Sequence, residues 1–263
     1  MRRSLGQHFL IQRRAVQRIV QALELTGSES VLEIGPGKGA LTGSLARHAG
    51  RLLLVEMDPF LADGVRGHFS QQDSVEVLTA DFLELPFTEI TSRLGKDFRV
   101  VSNLPYQAGT AILQKLLLHL SPESILVLMF QKEVGDRLLA GPGTKDYGSL
   151  SIFTQVLAKG RELFVVTPMA FRPPPQVDSV VVKLKIRSEP LVAMNELPKF
   201  ENLIRAGFAH RRKMLRQNLK SCFAGETAEK IEDRLKAVGA APGARAEELS
   251  VEQWVELYKG WKG

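Results

Sequence analysis

Short apolar runs alternate with helical patterns through the first two thirds of the chain. Runs at residues 31–34, 51–56, 75–79, 99–101 and 124–130 are rich in Val, Ile and Leu. Such runs predict strands buried on both faces. Residues 13–23, 40–46, 110–120, 131–140 and about 147–158 read as helices; in the first, Ala15, Ile19 and Ala22-Leu23 fall on one side. Ser121-Pro122 and Gly141-Pro142-Gly143 punctuate the pattern. Two further strands are expected at 162–166 and 177–186. Between them lies a loop whose Pro173-Pro174-Pro175 cannot donate ladder hydrogen bonds and stiffens the chain. Strand alternating with helix predicts a mostly parallel, doubly wound α/β sheet of the Rossmann kind.

From Arg187 onward the strand pattern stops. Residues 197–220, 226–238 and 250–259 read as helices, with a turn at Gly239 to Gly243, in a charged, Ala-rich composition. The expected organisation is an α/β domain over residues 1–187 and a small C-terminal helical domain over 188–263. A chain of 263 residues with 44% hydrophobic composition can bury one large core and a smaller one. Its longest apolar run, 125–130, is far too short to span a bilayer. The single Cys222 excludes an internal disulfide, no Cys/His set has metal-ligand spacing, and a reducing, cytoplasmic compartment is expected.

Charge adds a partner. The net charge is +6, but residues 1–23 alone carry five Arg and no acid, and residues 199–220 carry seven Lys/Arg against one Glu, which leaves −5 for the remainder. Two basic segments on a slightly acidic body point to nucleic acid. The tightest cluster is Arg211, Arg212 and Lys213 with Arg216 and Lys220. On a continuous helix Arg212 and Arg216 would share a face, flanked by Arg211 and Lys213, an arc suited to a phosphate track. The alternative is that these arginines pair with acids such as Glu247 and Glu248. The helical periodicity of residues 13–23 argues against reading the Arg-rich start as a transit peptide.

Candidate chemistry collects at predicted strand ends, where open α/β sheets bind ligands. The first strand runs into Gly35-Pro36-Gly37-Lys38-Gly39. A dinucleotide fingerprint needs a third glycine where this chain has Ala40, so the turn fits a nucleoside cofactor without a pyrophosphate. Glu56 ends the second strand, where a carboxylate can accept from both ribose hydroxyls. Asp81, after the third, can accept from an adenine amine, with Phe82 flanking the ring. Together these read as an S-adenosylmethionine site. The fourth strand ends at Asn103-Leu104-Pro105-Tyr106. An Asn oxygen and the carbonyl ahead of a rigid Pro can accept both hydrogens of an exocyclic amine, freeing its lone pair, while the Tyr offers a stacking surface. The alternative is a plain strand-to-helix turn.

These residues resemble the KsgA/RsmA family of small-subunit ribosomal RNA adenine N6,N6-dimethyltransferases, and the likeness covers nearly the whole chain. Gly6-Gln7-His8-Phe9-Leu10, Glu33-Ile34-Gly35-Pro36-Gly37, Asn103 to Tyr106, Gln131-Lys132-Glu133-Val134, Tyr147-Gly148 and the 171–179 segment are similar to its signatures, the last being the most specific. Gln107-Ala108-Gly109 departs from the family's commoner Asn/Gln-Ile-Ser. The resemblance implies a class I methyltransferase fold, with His8, Leu10, Gly35, Glu56, Asp81 and Asn103 at the cofactor. It implies Asn103, Leu104, Pro105 and Tyr106 as catalytic motif, with Phe171 a second stacking surface whose alternative is a core plug. It also implies a monomer that places two methyl groups on each of two adjacent adenines in the 3′-terminal hairpin of 16S rRNA. The substrate would be an immature 30S subunit, late in assembly. DNA adenine methyltransferases, a rival reading, usually carry Asp/Asn-Pro-Pro-Tyr/Phe, from which Leu104 departs.

Overall fold

The computed structural model describes residues 8–222 and 227–261, so Gly6 and Gln7 of the N-terminal motif lie outside the described residues. By their contacts the residues group into two units. One holds the chain up to Gly135 together with Gly160–Ser188; the other holds Asp136–Lys159 and the chain from Glu189 onward.

In the first unit the strands are β1 (Phe9–Leu10), β2 (Ser30–Ile34), β3 (Arg51–Glu56), β4 (Val75–Thr79), β5 (Phe98–Asn103) and β6 (Ile125–Gln131), followed by β7 (Ala158–Val166), β8 (Phe171–Arg172) and β9 (Ser179–Ile186). The helices are α1 (Arg13–Ala22), α2 (Thr42–Leu45), α3 (Pro59–His68), α4 (Phe87–Leu94) and α5 (Gly109–His119). Seven strands form one sheet in the order β4-β3-β2-β5-β6-β9-β7. The β4-β3-β2-β5-β6 block is parallel, and β9 runs antiparallel to β6. Chain order reverses between β2 and β5, the place where doubly wound sheets open a ligand crevice. β1 and β8 pair antiparallel as a separate two-stranded sheet.

The central strands are buried on both faces: Leu52 to Val55 of β3 and Leu126 to Phe130 of β6 are buried without interruption. Val31, Leu52, Leu54, Val101, Val127, Met129 and Val181 share a core cluster with Ala15, Ile19 and Leu23 of the α1 segment. Each such Leu, Ile or Val contributes roughly 1.5–3 kcal/mol by leaving water. Local chemistry sets the helix starts. The Asp58 carboxylate accepts from the Phe60 and Leu61 N–H groups, with Pro59 at the first helical position of α3. The Pro105 carbonyl accepts from Ala108 and Gly109 at 3.1 and 2.9 Å, so α5 starts cleanly despite the unusual Gln107-Ala108-Gly109.

The second unit contains α7 (Ser149–Leu157), α8 (Leu197–Gly207), α9 (Leu215–Cys222), α10 (Ala228–Ala237) and α11 (Val251–Trp261). The chain leaves the first unit inside α6 (Lys132–Leu139), returns to it within β7 after Lys159, and leaves it again after Ser188. Composition suggested one crossing at 187/188, whereas residues 136–159 also group with the C-terminal helices. The α7 sequence is apolar nearly all round, with Leu150 to Thr154, Val156 and Leu157 buried, so it carries no polar face to tell which unit it serves.

The continuous helix expected over 197–220 is corrected: residues 208–214 form turns between α8 and α9. Gly207 marks the break. A Cβ there would meet the Trp254 ring at 2.3 Å, so only glycine lets the indole seat on the backbone. Asn218 Nδ2 donates to the Gly207 carbonyl at 2.6 Å and the His210 carbonyl at 3.0 Å, satisfying acceptors that the helix end releases. Phe208 then stacks on Trp254 at 5.7 Å. Among the described residues no helix is long and apolar enough to cross a membrane.

Candidate active site

The register aligns the carboxyl ends of four neighbouring strands. Ile34 lies opposite Val55 and Ser102, and Glu56 opposite Thr79. Gly35, Glu56, Asp81 and Asn103 therefore lie at or just beyond one edge of the sheet. With about 4.8 Å between strands, the row from the β4 end to the β5 end spans about 14 Å.

The Glu56 carboxylate is buried and its geometry is fixed. Oε2 accepts from the Gly37 N–H at 2.9 Å, and Oε1 from the Asp58 N–H at 3.0 Å. One backbone donor per oxygen leaves each with acceptor capacity for a hydroxyl. Gly35 has φ +66° and only open space where a side chain would stand. Gly37, at φ +59°, has the Phe9 ring 3.1 Å from its absent Cβ, so the N-terminal strand lies against the glycine turn. Exposed Asp81 holds Oδ1 on the Leu83 N–H at 2.8 Å, leaving Oδ2 to bind a ligand donor. An acceptor pair for a diol, an acceptor for an amine and a glycine cradle without side chains fit S-adenosylmethionine. Among the described residues no group of His, Cys, Asp or Glu is arranged to hold a metal.

Beneath the cradle sits a residue whose role the sequence left unassigned. Glu33 of β2 is fully buried, and Thr42 Oγ1 donates to its Oε2 at 2.8 Å. Burial pushes its pKa up to about 8; the Thr42 hydrogen bond opposes this and the neighbouring Glu56 adds to it.

At the end of β5, half-buried Asn103 donates from Nδ2 to the His8 carbonyl at 3.1 Å. A flipped amide would bring two oxygens together, so this contact fixes Nδ2 on the His8 side and leaves Oδ1 as the acceptor outside it. His8 is held in turn, its Nδ1–H donating to the Pro173 carbonyl at 2.8 Å. Tyr106 is half-buried. Its ring lies 5.6 Å from that of His8, and its hydroxyl is 3.2 Å from Ser179 Oγ. The segments 8–10, 103–106 and 173–179, remote in sequence, thus meet at the end of β5. A small pocket behind the motif is lined by Leu104, Pro105, Tyr106, Thr110 and Phe130 among others.

Several expectations are corrected. Phe171 is 3% exposed and belongs to the core cluster, because its pairing with Leu10 in the small sheet turns it inward; it forms no second face opposite Tyr106 here. Leu10 is in the same core, so only its backbone can reach a ligand. Phe82 is buried, with Lys115 Nζ 5.2 Å from its ring centroid, and does not flank an open adenine site. The basic arc is not helical as expected. Arg211 lies in the 208–214 turn, where its Nε donates to Glu247 Oε2 at 2.6 Å, and Arg216 of α9 pairs with Glu232. Arg212 is also in that turn and cannot share a helix face with Arg216. Arg212, Lys213 and Lys220 are exposed. Sequence reasoning also passed over Ser179 as the anchor of Tyr106, and Lys115, whose only signal was one cation inside the apolar pattern of α5.

The family model for ribosomal RNA adenine dimethylase matches residues 1–262. The chain is 41% identical to the ribosomal RNA small subunit methyltransferase A of Geobacter sulfurreducens, covering 98% of this chain and 94% of that protein. It is 40% identical to the protein of the same description from Xanthomonas campestris, covering 97% and 94%. Among solved structures, a dimethyladenosine transferase from Plasmodium falciparum superposes with a TM-score of 0.84 at 25% identity, covering 97% of this chain and 98% of the other. The 23S rRNA methyltransferase ErmE superposes at 0.74 and 29% identity, covering 97% and 100%.

Proposed function

This chain belongs to the ribosomal RNA adenine dimethylase family, and on that premise we propose how its residues divide the work. It is an S-adenosylmethionine-dependent adenine N6,N6-dimethyltransferase of 16S rRNA, built on a class I methyltransferase sheet. The cofactor, when bound, supplies an electrophilic methyl group on a positively charged sulfur. Glu56 holds the ribose hydroxyls, Asp81 the adenine amine, and the turn from Gly35 the open cradle between them. His8 and Leu10 close the site from the N-terminal strand, Leu10 through its backbone.

The fixed acceptor Oδ1 of Asn103 is the observation that carries the catalytic reading. The target amine is a poor nucleophile because its lone pair is delocalised into the ring. Asn103 Oδ1 and the Leu104 carbonyl accept its two hydrogens, which draws the nitrogen toward tetrahedral geometry and frees the pair. Pro105 stiffens that turn. Tyr106, anchored by Ser179, offers one face to a base taken out of its stack. The ammonium formed on an aromatic amine is strongly acidic and passes its proton to water, so no strong base is required. Catalysis is mostly positioning, an effect worth several kcal/mol.

The substrate is the pair of adjacent adenosines in the 3′-terminal hairpin, presented by an immature 30S subunit late in assembly. The protein acts on it as a cytoplasmic monomer. Residues 188–263 serve as the RNA-binding helical domain, with Arg212, Lys213 and Lys220 reaching phosphates, while Arg211 and Arg216 support the turn and helix that carry them. Incubation with S-adenosylmethionine and immature 30S particles, free 16S rRNA or DNA, followed by nucleoside digestion and mass spectrometry, tests this. N6,N6-dimethyladenosine from the particles is expected; methylation confined to DNA would overturn the reading.

A further inference from the structure

Lys115 sits on the half-buried side of α5 and spends its ammonium group on one loop. Its Nζ lies 2.8 Å from the Phe82 carbonyl, 2.7 Å from the Leu83 carbonyl and 2.7 Å from the Leu85 carbonyl. An ammonium has three donors, and all three are used. The carbonyls belong to the turn that starts at Asp81, whose own carbonyl accepts from Glu84 and Leu85 at 3.1 and 3.0 Å. Asp81 Oδ1 is held by the Leu83 N–H, inside the segment the lysine clamps. Three carbonyl dipoles converging on one point repel each other unless a cation stands between them. Desolvation lowers the Lys115 pKa, opposed by Glu84 and Asp81, so the cation also feels the Asp81 charge.

The position of the clamp matters as much as its bonds. α5 starts six residues after Asn103, so one rigid helix follows the catalytic motif and carries the lysine that shapes the loop after β4. We propose that Lys115 is a positioning residue for adenine recognition in the cofactor site, fixing the Asp81 loop so that its carboxylate meets the base amine. This rests on the assignment of Asp81 to that amine.

Calorimetric binding of S-adenosylhomocysteine and of S-inosylhomocysteine, which carries a carbonyl oxygen in place of the amine, tests it on the wild-type chain, Lys115→Met and Asp81→Ala. The ratio of the two affinities reports amine recognition and is unaffected by a partly unfolded sample. Wild type is expected to prefer the adenine compound. Lys115→Met should bind that compound about tenfold more weakly, with little change for the inosine compound, so that the preference collapses. Where Lys115→Met does not fold, Lys115→Arg carries the test, because a planar fork cannot serve three carbonyls converging on one point; a reduced preference supports the proposal. An unchanged ratio in the lysine variant, with the ratio lost in Asp81→Ala, overturns the role of Lys115 alone. A preference that survives Asp81→Ala overturns the Asp81 assignment, and the proposal falls with it.

Discussion

Glu33→Gln isolates the protonation of a buried carboxyl beside the cofactor cradle. Glu33 is 2% exposed, and its pKa is raised from an ordinary 4.5 to about 8, chiefly by burial. A raised carboxyl favours the folded state fully below the unfolded pKa and loses that contribution as pH rises to the folded value. Between about pH 4.5 and 8 the unfolded chain has released this proton and the folded chain has not, so folding must take it up. Each pH unit in that window costs the folded state up to about 1.4 kcal/mol, on the order of 3–5 kcal/mol across it. Above about 8 the effect is flat. Gln keeps an acceptor for Thr42 and cannot ionise. Urea unfolding of both proteins at pH 5, 6, 7 and 8 is the assay, with the slopes checked for equality. The wild type should lose stability relative to Glu33→Gln across the series, and the gap should stop widening near pH 8. Stability curves that stay parallel from pH 5 to 8 would refute a neutral buried Glu33.

Glu56→Ala removes the ribose acceptors and leaves the Gly37 and Asp58 donors unpaired; cofactor affinity measured by calorimetry should fall by about 2–3 kcal/mol while RNA binding is unchanged. Phe171→Ala opens a cavity in the core and should lower unfolding free energy by about 3–5 kcal/mol, with turnover per folded molecule near wild type; a normal melting temperature with lost turnover would restore Phe171 as a stacking surface. Tyr106→Ala should weaken productive binding of the target base by about 1–3 kcal/mol, read as raised KM on 30S particles. Arg212→Glu with Lys213→Glu should weaken particle binding and flatten its log–log salt dependence by about 0.7–0.9 per lost phosphate contact. Arg211→Glu should instead lower the melting temperature, because it breaks the pair with Glu247.

What could be read from the sequence was whatever local pattern decides. The strands β2 to β6 announce themselves as apolar runs, and the chemistry at their ends follows from parallel order, which sets Gly35, Glu56, Asp81 and Asn103 along one edge. What stayed hidden depends on partners far away in the chain. The break after Gly207 is made by Trp254 and Asn218, while the apolar spacing runs on through Phe208 and Leu215. The helix expected at 40–46 shortens to Thr42–Leu45, because the glycine turn extends into it. The β1–β8 pair has two residues per strand, too short for any periodicity, yet it decides that Phe171 and Leu10 face the core. Lys115 is one cation among apolar neighbours along α5, and its partners, the carbonyls of Phe82, Leu83 and Leu85, come from a loop some thirty residues earlier in the chain.

The most direct test of the catalytic centre is single-turnover methyl transfer by Asn103→Ala, with labelled S-adenosylmethionine and immature 30S particles, beside calorimetric cofactor affinity on the same sample. Removing one preorganised acceptor from the target amine should cost about 10²-fold or more in rate, while affinity for the cofactor falls much less. A variant that methylates at near wild-type rate would contradict the assignment of Asn103 Oδ1 as the group that orients the adenine amine.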